Sequence, residues 1–309
     1  MREISINKPT FEEVSSKDRS FELMSSEFRQ KYKAWKDREP KFEDLNYDQD
    51  IIDQDKAKVA AKESKFKYSE TEIAALGETV IKQGLYEEAW VEAVVDVIPT
   101  NKFDDYFRGT DCVLRFESDS NDSLYLGVDV KTTADRGLVN DKIAEIEHFV
   151  SSGKLTNLKY FYDEDMDRKG PQRVPSIILI IDPRYAISMQ DIMVKPYQKR
   201  NEKEAQKTEL VKNLLSLEIL CQCMEIDLRL EERQEVQPRY LEIQKTYQEI
   251  IESIIQNTDI VYTINYLLAL IKIVREESSR YEDLLQVFEK YLQTLIDYQQ
   301  KREVNYVLE

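Results

Sequence analysis

Three patterns of hydrophobic and polar residues follow one another along the chain. Residues 1–66 are mainly polar and charged, with scattered aromatic residues, which indicates a partly helical N-terminal arm. Residues 67–198 mix helical periodicity with short apolar runs, and they hold all 7 glycines of the chain. Residues 199–309 lack glycine and repeat leucine, isoleucine and tyrosine at intervals of three and four. The chain is therefore predicted to consist of a polar arm, an α/β domain and a helical C-terminal domain.

The middle region predicts the order helix, strand, strand, helix, strand. Ser69 and Glu72 have the spacing of a capping box, and the apolar residues that follow recur at helical intervals as far as Ile98, next to Pro99. The predicted strands are 110–117, 123–133 and 175–182. The last strand is so continuously apolar that we expect it in the centre of the sheet, with both faces covered.

Further helices and a loop complete the predicted architecture. A short amphipathic helix is expected at 142–151, and a charged loop is expected at 163–173. The antiparallel helices predicted in the C-terminal region are 202–235, 239–257, 259–277 and 279–302.

Composition restricts the possible functions. The chain has 44 lysines and arginines against 60 aspartates and glutamates, a formal net charge of -16, so its bulk charge gives no general affinity for nucleic acids. Its 3 cysteines predict no disulfide framework, and the lack of an apolar signal region or a bilayer-length apolar run favours a cytoplasmic protein without a membrane anchor. His148 is the only histidine and no Gly-rich nucleotide-binding motif occurs, so histidine-based nucleophiles, zinc sites and nucleotide cradles are not indicated.

The most basic stretch of the chain lies in the arm. It contains the lysines Lys56, Lys58, Lys62, Lys65 and Lys67. A solvated helix face is the first interpretation of this stretch, and a surface that contacts phosphates is the alternative. In so acidic a chain, nucleic-acid binding would have to take such a local form.

One pattern in this sequence is typical of a catalytic site, and it consists of Asp111, Asp129 and Lys131. Asp111 lies near the start of one predicted strand, and Asp129 and Lys131 lie two residues apart on the next, so their side chains project from the same face. Hydrolysis of a phosphodiester needs stabilisation of charge on phosphorus and a hydroxide-like nucleophile, which carboxylate-bound Mg²⁺ and a neighbouring base or cation provide. We expect Asp111 and Asp129 to bind the metal and Lys131 to orient the attacking water or to neutralise developing charge.

Such a site needs a further carboxylate, and the preceding helix offers three candidates. On a helical wheel Glu87 falls among the apolar residues that face the sheet, while Glu88 and Glu92 fall toward the edge of that face. A carboxylate on a buried face is costly unless it is ligated or paired, so Glu87 is predicted to bind the metal or to form a salt bridge with Lys131 or Arg115. A glycine kink within the helix would favour Glu88 instead.

The order of these elements and motifs resembles the core of the PD-(D/E)xK nuclease superfamily. The resemblance covers residues 70–198 and consists of a helix with a glutamate, the sequence GTD at the start of a strand, a second strand with DVK, a helix and an apolar strand. The motif is named for a proline that precedes its first aspartate. This chain has Thr110 at that position.

The resemblance implies a fold, a cofactor and an activity. The fold is α/β, a restriction-endonuclease-like core with a mixed central sheet, followed in this chain by an all-α helical bundle. The site residues would be Asp111 as the first metal-binding aspartate, Asp129 and Lys131 as the (D/E)xK pair, and Glu87 or Glu88 as the acidic residue of the first helix. The activity would be Mg²⁺- or Mn²⁺-dependent cleavage of DNA or, less often, RNA.

Two other functions stay open. One is a catalytically inactive nuclease-like fold that serves as a structural or protein-interaction module, which pairing of Asp129 with Lys131 alone would favour. The other is a scaffold whose acidic C-terminal helices bind a protein partner or form a homodimer. Because the net charge is -16, tight unassisted binding to DNA is not expected, and a partner is expected to deliver the nucleic acid.

Overall fold

The chain is a mixed α/β protein in which helices surround and extend a small sheet. The computed structural model describes residues 23–65, 72–117, 123–133, 154–231, 239–257, 268 and 282–302. The α-helices are α1 (Ser26–Asp37), α2 (Gln49–Lys65), α3 (Glu72–Glu87), α4 (Lys102–Arg108), α5 (Pro183–Met193), α6 (Glu202–Glu231), α7 (Arg239–Asn257) and α8 (Glu282–Arg302). The strands are β1 (Val94–Pro99), β2 (Cys112–Glu117), β3 (Ser123–Thr132), β4 (Thr156–Asp163), β5 (Arg168–Val174) and β6 (Ser176–Ile181). Two short 3-10 helices are Phe42–Asp44 and Tyr197–Lys199.

Four strands form the main sheet in the order β1-β2-β3-β6. β1, β2 and β3 are antiparallel neighbours and β6 runs parallel to β3, so the sheet is mixed, as predicted. β4 and β5 form a separate two-stranded antiparallel hairpin. In the β2–β3 register Cys112 pairs with Val128, which sets the residue before β2 beside the middle of β3.

The first helix of the α/β region is shorter than predicted, and a strand that the sequence analysis missed follows it. α3 ends at Glu87, where Trp90 folds back so closely on Gly84 that a Cβ atom on the glycine would lie 2.3 Å from the indole. Ala89 has a positive φ of 48° and turns the chain. β1 then occupies the stretch where the helix was predicted to continue. Its valines and isoleucine also fit helical spacing, but β-branched residues favour a strand once the helix has ended.

The charged loop predicted at 163–173 is wrong, because most of this stretch belongs to the β4–β5 hairpin. The turn of the hairpin occupies residues 164–167, and Asp167 has a positive φ of 45°. β5 contains charged residues and a proline, and most of its side chains are exposed. The sequence of β5 therefore lacks the alternation of hydrophobic and polar residues that would predict a strand. Backbone pairing with β4 holds β5 in its extended conformation.

β6 lies at an edge of the main sheet among the described strands, not in its centre as predicted. Its side chains are nevertheless covered on both faces, and Ile177, Ile178 and Leu179 are fully buried. The long apolar run therefore predicts burial of the faces correctly but gives no information about the strand's neighbours.

Side chains of α6 and α7 bond the backbone of β6 on the side where a further strand would lie. The three pairs of helix side chain and strand residue are Tyr247 with Ser176, Gln222 with Ile178 and Glu218 with Ile180. Alternate residues of a strand point their backbone N–H and C=O groups to the same side, so these helices meet every second residue of the edge. The helices thus satisfy backbone groups that an open sheet edge would expose.

The hydrophobic core runs continuously from the sheet into the C-terminal helices. α7 has the predicted bounds, and α6 and α8 fall within their predicted ranges. The predicted helix 142–151 lies outside the described residues, as does nearly all of 259–277. In the arm, α1 packs on α3 and buries Phe28 and Trp35, which joins the described part of the arm to the same core.

Candidate active site

A close crossing of α3 over β3 brings a helix carboxylate to the sheet. Gly77 lies so near Thr132 of β3 that a Cβ atom on the glycine would be 1.9 Å from the threonine Oγ1. The Thr132 hydroxyl donates to the Ala74 carbonyl at 3.3 Å. Glu78 is the next residue of α3, and from this position its charge acts on Asp111.

The structure brings Asp111 and Asp129 together. The Asp111 N–H donates to the Val128 carbonyl at 2.8 Å, and the Asp111 Oδ2 atom accepts from the Val130 N–H at 2.6 Å. These two bonds hold Asp111 against β3 on either side of Asp129. Both aspartates are buried, with exposed fractions of 8% and 9%.

Lys131 stands at the boundary between this site and solvent. It forms an ion pair with Asp129 from the same face of β3, and its side chain is 41% exposed whereas that of Asp129 is 12% exposed. Partial burial by itself would lower the pKa of Lys131, but Asp129 and Asp111 outweigh that effect and raise the pKa. The ammonium group therefore stays protonated at neutral pH.

α3 contributes a second lysine–carboxylate pair, which the sequence analysis missed. Glu78 and Lys82 lie one helical turn apart, form an ion pair and are both buried. The Lys82 ammonium also lies 5.5 Å from the centre of the Trp35 ring. Burial would lower the pKa of Lys82, but Glu78 and Asp111 raise it above the ordinary value.

The helical wheel could not identify Glu78, because α3 is buried on every side. All residues from 75 to 85 are buried, so the helix has no single apolar face that points to the sheet. The signal that could have found Glu78 is its neighbour Gly77. A glycine in the middle of a helix costs stability and is typical of a place where another segment approaches closely.

α4 adds a further carboxylate, Asp105, which the sequence analysis also missed. The Asn101 side chain caps the start of α4 by accepting from the Phe103 N–H at 2.8 Å, and Gly109, in the left-handed conformation, ends the helix. The Asp105 carboxyl group shares a hydrogen bond with that of Asp111. The two caps were visible in the sequence and could have predicted a short helix directly before Asp111.

We call the set of Glu78, Asp105, Asp111 and Asp129 the carboxylate cluster. Burial raises the pKa of Asp105 to about 6, and repulsion from Glu78 adds to the shift. Burial also raises the pKa of Asp111 well above its ordinary value, with repulsion from the other three carboxylates and partial compensation by Lys82. Lys82 and Lys131 each pair with one carboxylate, so like charges meet at Asp105 and Asp111 unless a proton or a cation is bound.

The glutamates that the helical wheel proposed lie elsewhere. Glu87 pairs with Lys31, Glu88 pairs with Arg200, and Glu92 pairs with Lys212. The prediction that Glu87 or Glu88 supplies the helix carboxylate beside Asp111 is therefore wrong. A helical wheel assumes one continuous helix, whereas α3 ends at Glu87 and the chain turns before β1.

A second group of carboxylates is neutralised by arginine. Ligand oxygens of Asp96, Asp163 and Asp165 lie within 4.8 Å of one another. Arg115 donates to both carboxylate oxygens of Asp163, at 2.9 and 3.1 Å, and to Asp165 at 2.7 Å. Arg38 lies 3.8 Å from Asp96. Guanidinium groups already supply the positive charge here, so this group is an ion-pair network and a poor candidate for a metal site.

The lysines of α2 contact groups within the protein. The described contacts are Lys56 with Glu43, Lys58 with Asp55 and Lys62 with the backbone carbonyl of Tyr106. The alternative that these three lysines form a surface for phosphates gains no support from such contacts. The side chain of Lys65, all of Lys67 and His148 lie outside the described residues.

Comparison with protein-family models, curated proteins and solved structures finds no match to this chain. In the part of the chain that the structure describes, no helix combines the length and apolar character needed to cross a lipid bilayer. The function is therefore inferred from the geometry of the site.

Proposed function

We propose that this chain is a metal-dependent nuclease with a restriction-endonuclease-like core, which hydrolyses phosphodiester bonds of DNA or RNA. The observation that carries the proposal is that Asp111, held against β3, interacts electrostatically with Glu78 of α3 and with Asp129 and Lys131 of β3. Among the described residues, the oxygens of Glu78, Asp111 and Asp129 do not all lie within 4.8 Å of one another, so a bound metal would have to draw them closer. The mixed sheet, with α3 packed across β3, also agrees with the resemblance drawn from the sequence.

Each residue of the site has a separate role in this proposal. Asp111 and Asp129 hold the metal, and Glu78 takes the role that the sequence analysis gave to Glu87. Lys131 is protonated and partly exposed, so it orients the attacking water and offsets negative charge on the scissile phosphate. Lys82 pairs with Glu78 and holds it in position.

The carboxylate cluster suits Mg²⁺ or Mn²⁺. Its donors are carboxylate oxygens, which these hard cations prefer, and it contains no sulfur or imidazole ligand. The repulsion that raises the pKa of Asp105 and Asp111, on top of burial, is the kind that a divalent cation relieves. When bound, such a cation supplies Lewis-acid stabilisation of the charge that builds up on the phosphate during hydrolysis.

A catalytically inactive nuclease-like fold is the second candidate function. It is favoured by the observation that Lys131 pairs with Asp129 and Lys82 pairs with Glu78, so half of the carboxylate cluster is neutralised by the protein itself. In this candidate both lysines are structural, no metal binds, and the C-terminal helices serve as an interaction module.

Calorimetric titration with Mg²⁺ and Mn²⁺, together with cleavage of single-stranded DNA, duplex DNA and RNA, separates the two candidates. The nuclease proposal expects metal binding and cleavage by the wild type, and loss of both in Asp129→Asn and Glu78→Gln. Lys131→Met should keep metal binding and lose about 100-fold or more in cleavage rate. Glu87→Gln is the matched control, because this glutamate lies on the same helix but pairs with Lys31 outside the cluster.

Three results would contradict the nuclease proposal or its assignment of the site. A wild-type protein that neither binds metal nor cleaves any of the three substrates would favour the inactive fold. Cleavage that persists undiminished in Asp129→Asn and Glu78→Gln would mean that the carboxylate cluster is not the active site. Loss of cleavage in Glu87→Gln, with Glu78→Gln unaffected, would restore the assignment made from the sequence.

A further inference from the structure

The stem of the β4–β5 hairpin lies on the face of the main sheet that carries Asp129. A Cβ atom added to Gly127 would lie 3.1 Å from the Val174 Cγ2 atom and 3.1 Å from the Ser176 Oγ atom. Side chains two residues apart in a strand project from the same face, so Asp129 follows Gly127 on this face at about 7 Å along β3. The end of β5 therefore borders the carboxylate cluster.

Hydrogen bonds at two points fix the hairpin in this position. Asp104 of α4 accepts from the N–H groups of Lys159 and Tyr160 in β4, at 2.8 and 2.7 Å. At the stem, the hydroxyl groups of Thr156 and Ser176 are bonded to each other at 2.7 Å. Side chains on the stem thus leave the backbone at points with a fixed place relative to the cluster.

The stem carries three exposed polar residues, Lys154, Asn157 and Arg173, which we call the stem donors. Arg173 pairs with Asn157 across the two strands, so their side chains lie next to each other on one face of the hairpin. Lys154 lies three residues before Asn157, just ahead of β4. Within the described residues, none of these three side chains forms a hydrogen bond, an ion pair or a ring contact. They are available to a group from outside the chain.

The charge at the stem favours an anion. β5 contains three cations and no carboxylate, although the chain has a net charge of -16. Its other two cations have partners, since Arg168 lies 5.3 Å from the centre of the Tyr125 ring and Lys169 lies 3.9 Å from Asp167. The carboxylates of the hairpin all fall within residues 163–167, at the end away from the stem.

The chemistry of the stem donors matches a phosphate group. Arginine, lysine and asparagine side chains are typical phosphate contacts in nucleic-acid complexes, and a guanidinium group can donate to two phosphate oxygens at once. In a chain this acidic, contact with a nucleic acid has to be local. The described lysines of α2 contact groups within the protein, whereas the stem donors do not.

We propose that the stem donors bind the phosphate backbone of the nucleic acid next to the scissile bond, with Arg173 as the main contact. The inference rests on the proposed nuclease function, because the stem holds the strand whose phosphodiester reaches the carboxylate cluster. The contacts are to phosphates, so they serve single strands and duplexes of any sequence. The stem donors are positioning residues, and the cleavage chemistry stays with the cluster.

Fluorescence anisotropy in EDTA tests this proposal without any cleavage. The probes are a labelled oligothymidine of about 16 nucleotides and a labelled DNA duplex of equal length. The wild type should bind both, Arg173→Gln should lose about 5-fold in affinity, and Lys154→Gln combined with Arg173→Gln should lose about 10-fold or more. For each contact removed, the slope of log affinity against log salt should become shallower by about 0.7 for the single strand and about 0.9 for the duplex.

Lys33→Gln is the matched control for the loss of one positive charge. Lys33 is an exposed lysine of α1, and α1 packs on α3, which crosses β3 at Thr132 on the face opposite Asp129. The control should keep the wild-type affinity and salt dependence. Thermal melting should show that Arg173→Gln is folded.

Cations on an exposed strand also serve in some proteins to prevent pairing with another sheet. That role alone predicts that Arg173→Gln self-associates and binds nucleic acid as tightly as the wild type does. Size-exclusion chromatography of the same variants measures self-association, and this outcome would overturn the proposal.

The proposal is also overturned if the wild type binds neither probe, or if Lys33→Gln loses as much affinity as Arg173→Gln, since net charge alone would then explain the loss. Binding that fits the expectation, in a protein that never cleaves with Mg²⁺ or Mn²⁺, would retain the stem donors and reject only the nuclease. Cleavage by the wild type, without any effect of the Arg173 and Lys154 changes on binding, would retain the nuclease and reject the role of the stem.

Discussion

Glu218 of α6 is a buried carboxyl group beside the backbone of β6. The residue is 9% exposed, and its carboxyl group accepts a hydrogen bond from the Ile180 N–H. Burial raises the pKa of Glu218 to about 8, and the Ile180 N–H opposes this shift only in part. The carboxyl group is therefore mostly protonated in the folded chain at pH 7, whereas it is ionised in the unfolded chain.

This difference makes the stability of the protein depend on pH with a definite sign. Between the ordinary pKa of 4.5 and about 8, the folded chain keeps the proton and the unfolded chain releases it, so the free energy of unfolding falls as the pH rises. At about 1.4 kcal/mol per pH unit, the loss is about 3 kcal/mol at pH 7 and about 5 kcal/mol well above pH 8. Below pH 4.5 both states are protonated, and the group adds no pH dependence.

Glu218→Gln keeps an oxygen for the Ile180 N–H but cannot ionise. The variant should match the wild type within about 1 kcal/mol at pH 5 and exceed it by about 3 kcal/mol at pH 7. Urea denaturation at several values between pH 5 and pH 8 measures the difference, and Glu202→Gln, an exposed change in the first turn of α6, is the control. A difference between Glu218→Gln and the wild type that is the same at every pH would refute the assignment of a buried neutral carboxyl group.

Single contacts elsewhere give three more expected outcomes. Gly77→Ala should lower the free energy of unfolding by about 1–3 kcal/mol, since the new Cβ atom meets Thr132 Oγ1 at 1.9 Å; urea denaturation should show partial recovery when Thr132→Ala is added. Tyr247→Phe removes the hydroxyl that bonds both backbone groups of Ser176. Chemical denaturation should show that the free energy of unfolding falls by about 1–3 kcal/mol, and an unchanged midpoint would mean that water replaces the hydroxyl. Asp111→Asn should stabilise the metal-free protein and abolish cleavage, because burial and neighbouring carboxylates disfavour the ionised form of Asp111. A variant that melts at a lower temperature than the wild type would contradict this electrostatic account.

The strand that carries Asp129 and Lys131, and the strand before it, could be predicted because their pattern is local. β2 and β3 fall within the ranges predicted from their apolar and alternating residues. The two-residue period of a strand is enough to place Asp129 and Lys131 on one face, where they form an ion pair. The β2–β3 hairpin brings Asp111 beside them, since antiparallel neighbours in sequence pair with each other.

Glu78 could not be predicted in the same way, because its position depends on a distant contact. The residue of α3 that meets Asp111 is decided by where the helix crosses the sheet, and the contact between Gly77 and Thr132 sets that crossing. Nothing in the periodicity of α3 reports this contact, since both flanks of the helix are buried. The edge position of β6 escaped prediction for the same reason, as its backbone partners are side chains of α6 and α7 far along the chain.

The two acidic groups of this protein differ in how their charge is balanced, and the nuclease proposal depends on that difference. Arg115 binds Asp163 through two hydrogen bonds and also binds Asp165, so that group gains charge-assisted contacts and joins the hairpin to the main sheet. In the carboxylate cluster, Asp105 and Asp111 instead face each other in a buried place where burial and repulsion both disfavour ionisation. A chain selected for stability alone would replace such a pair with apolar or amide side chains, which often stabilises a protein at a site of this kind. The carboxylate cluster is thus costly to the fold by itself, and a bound cation used in catalysis would account for that cost.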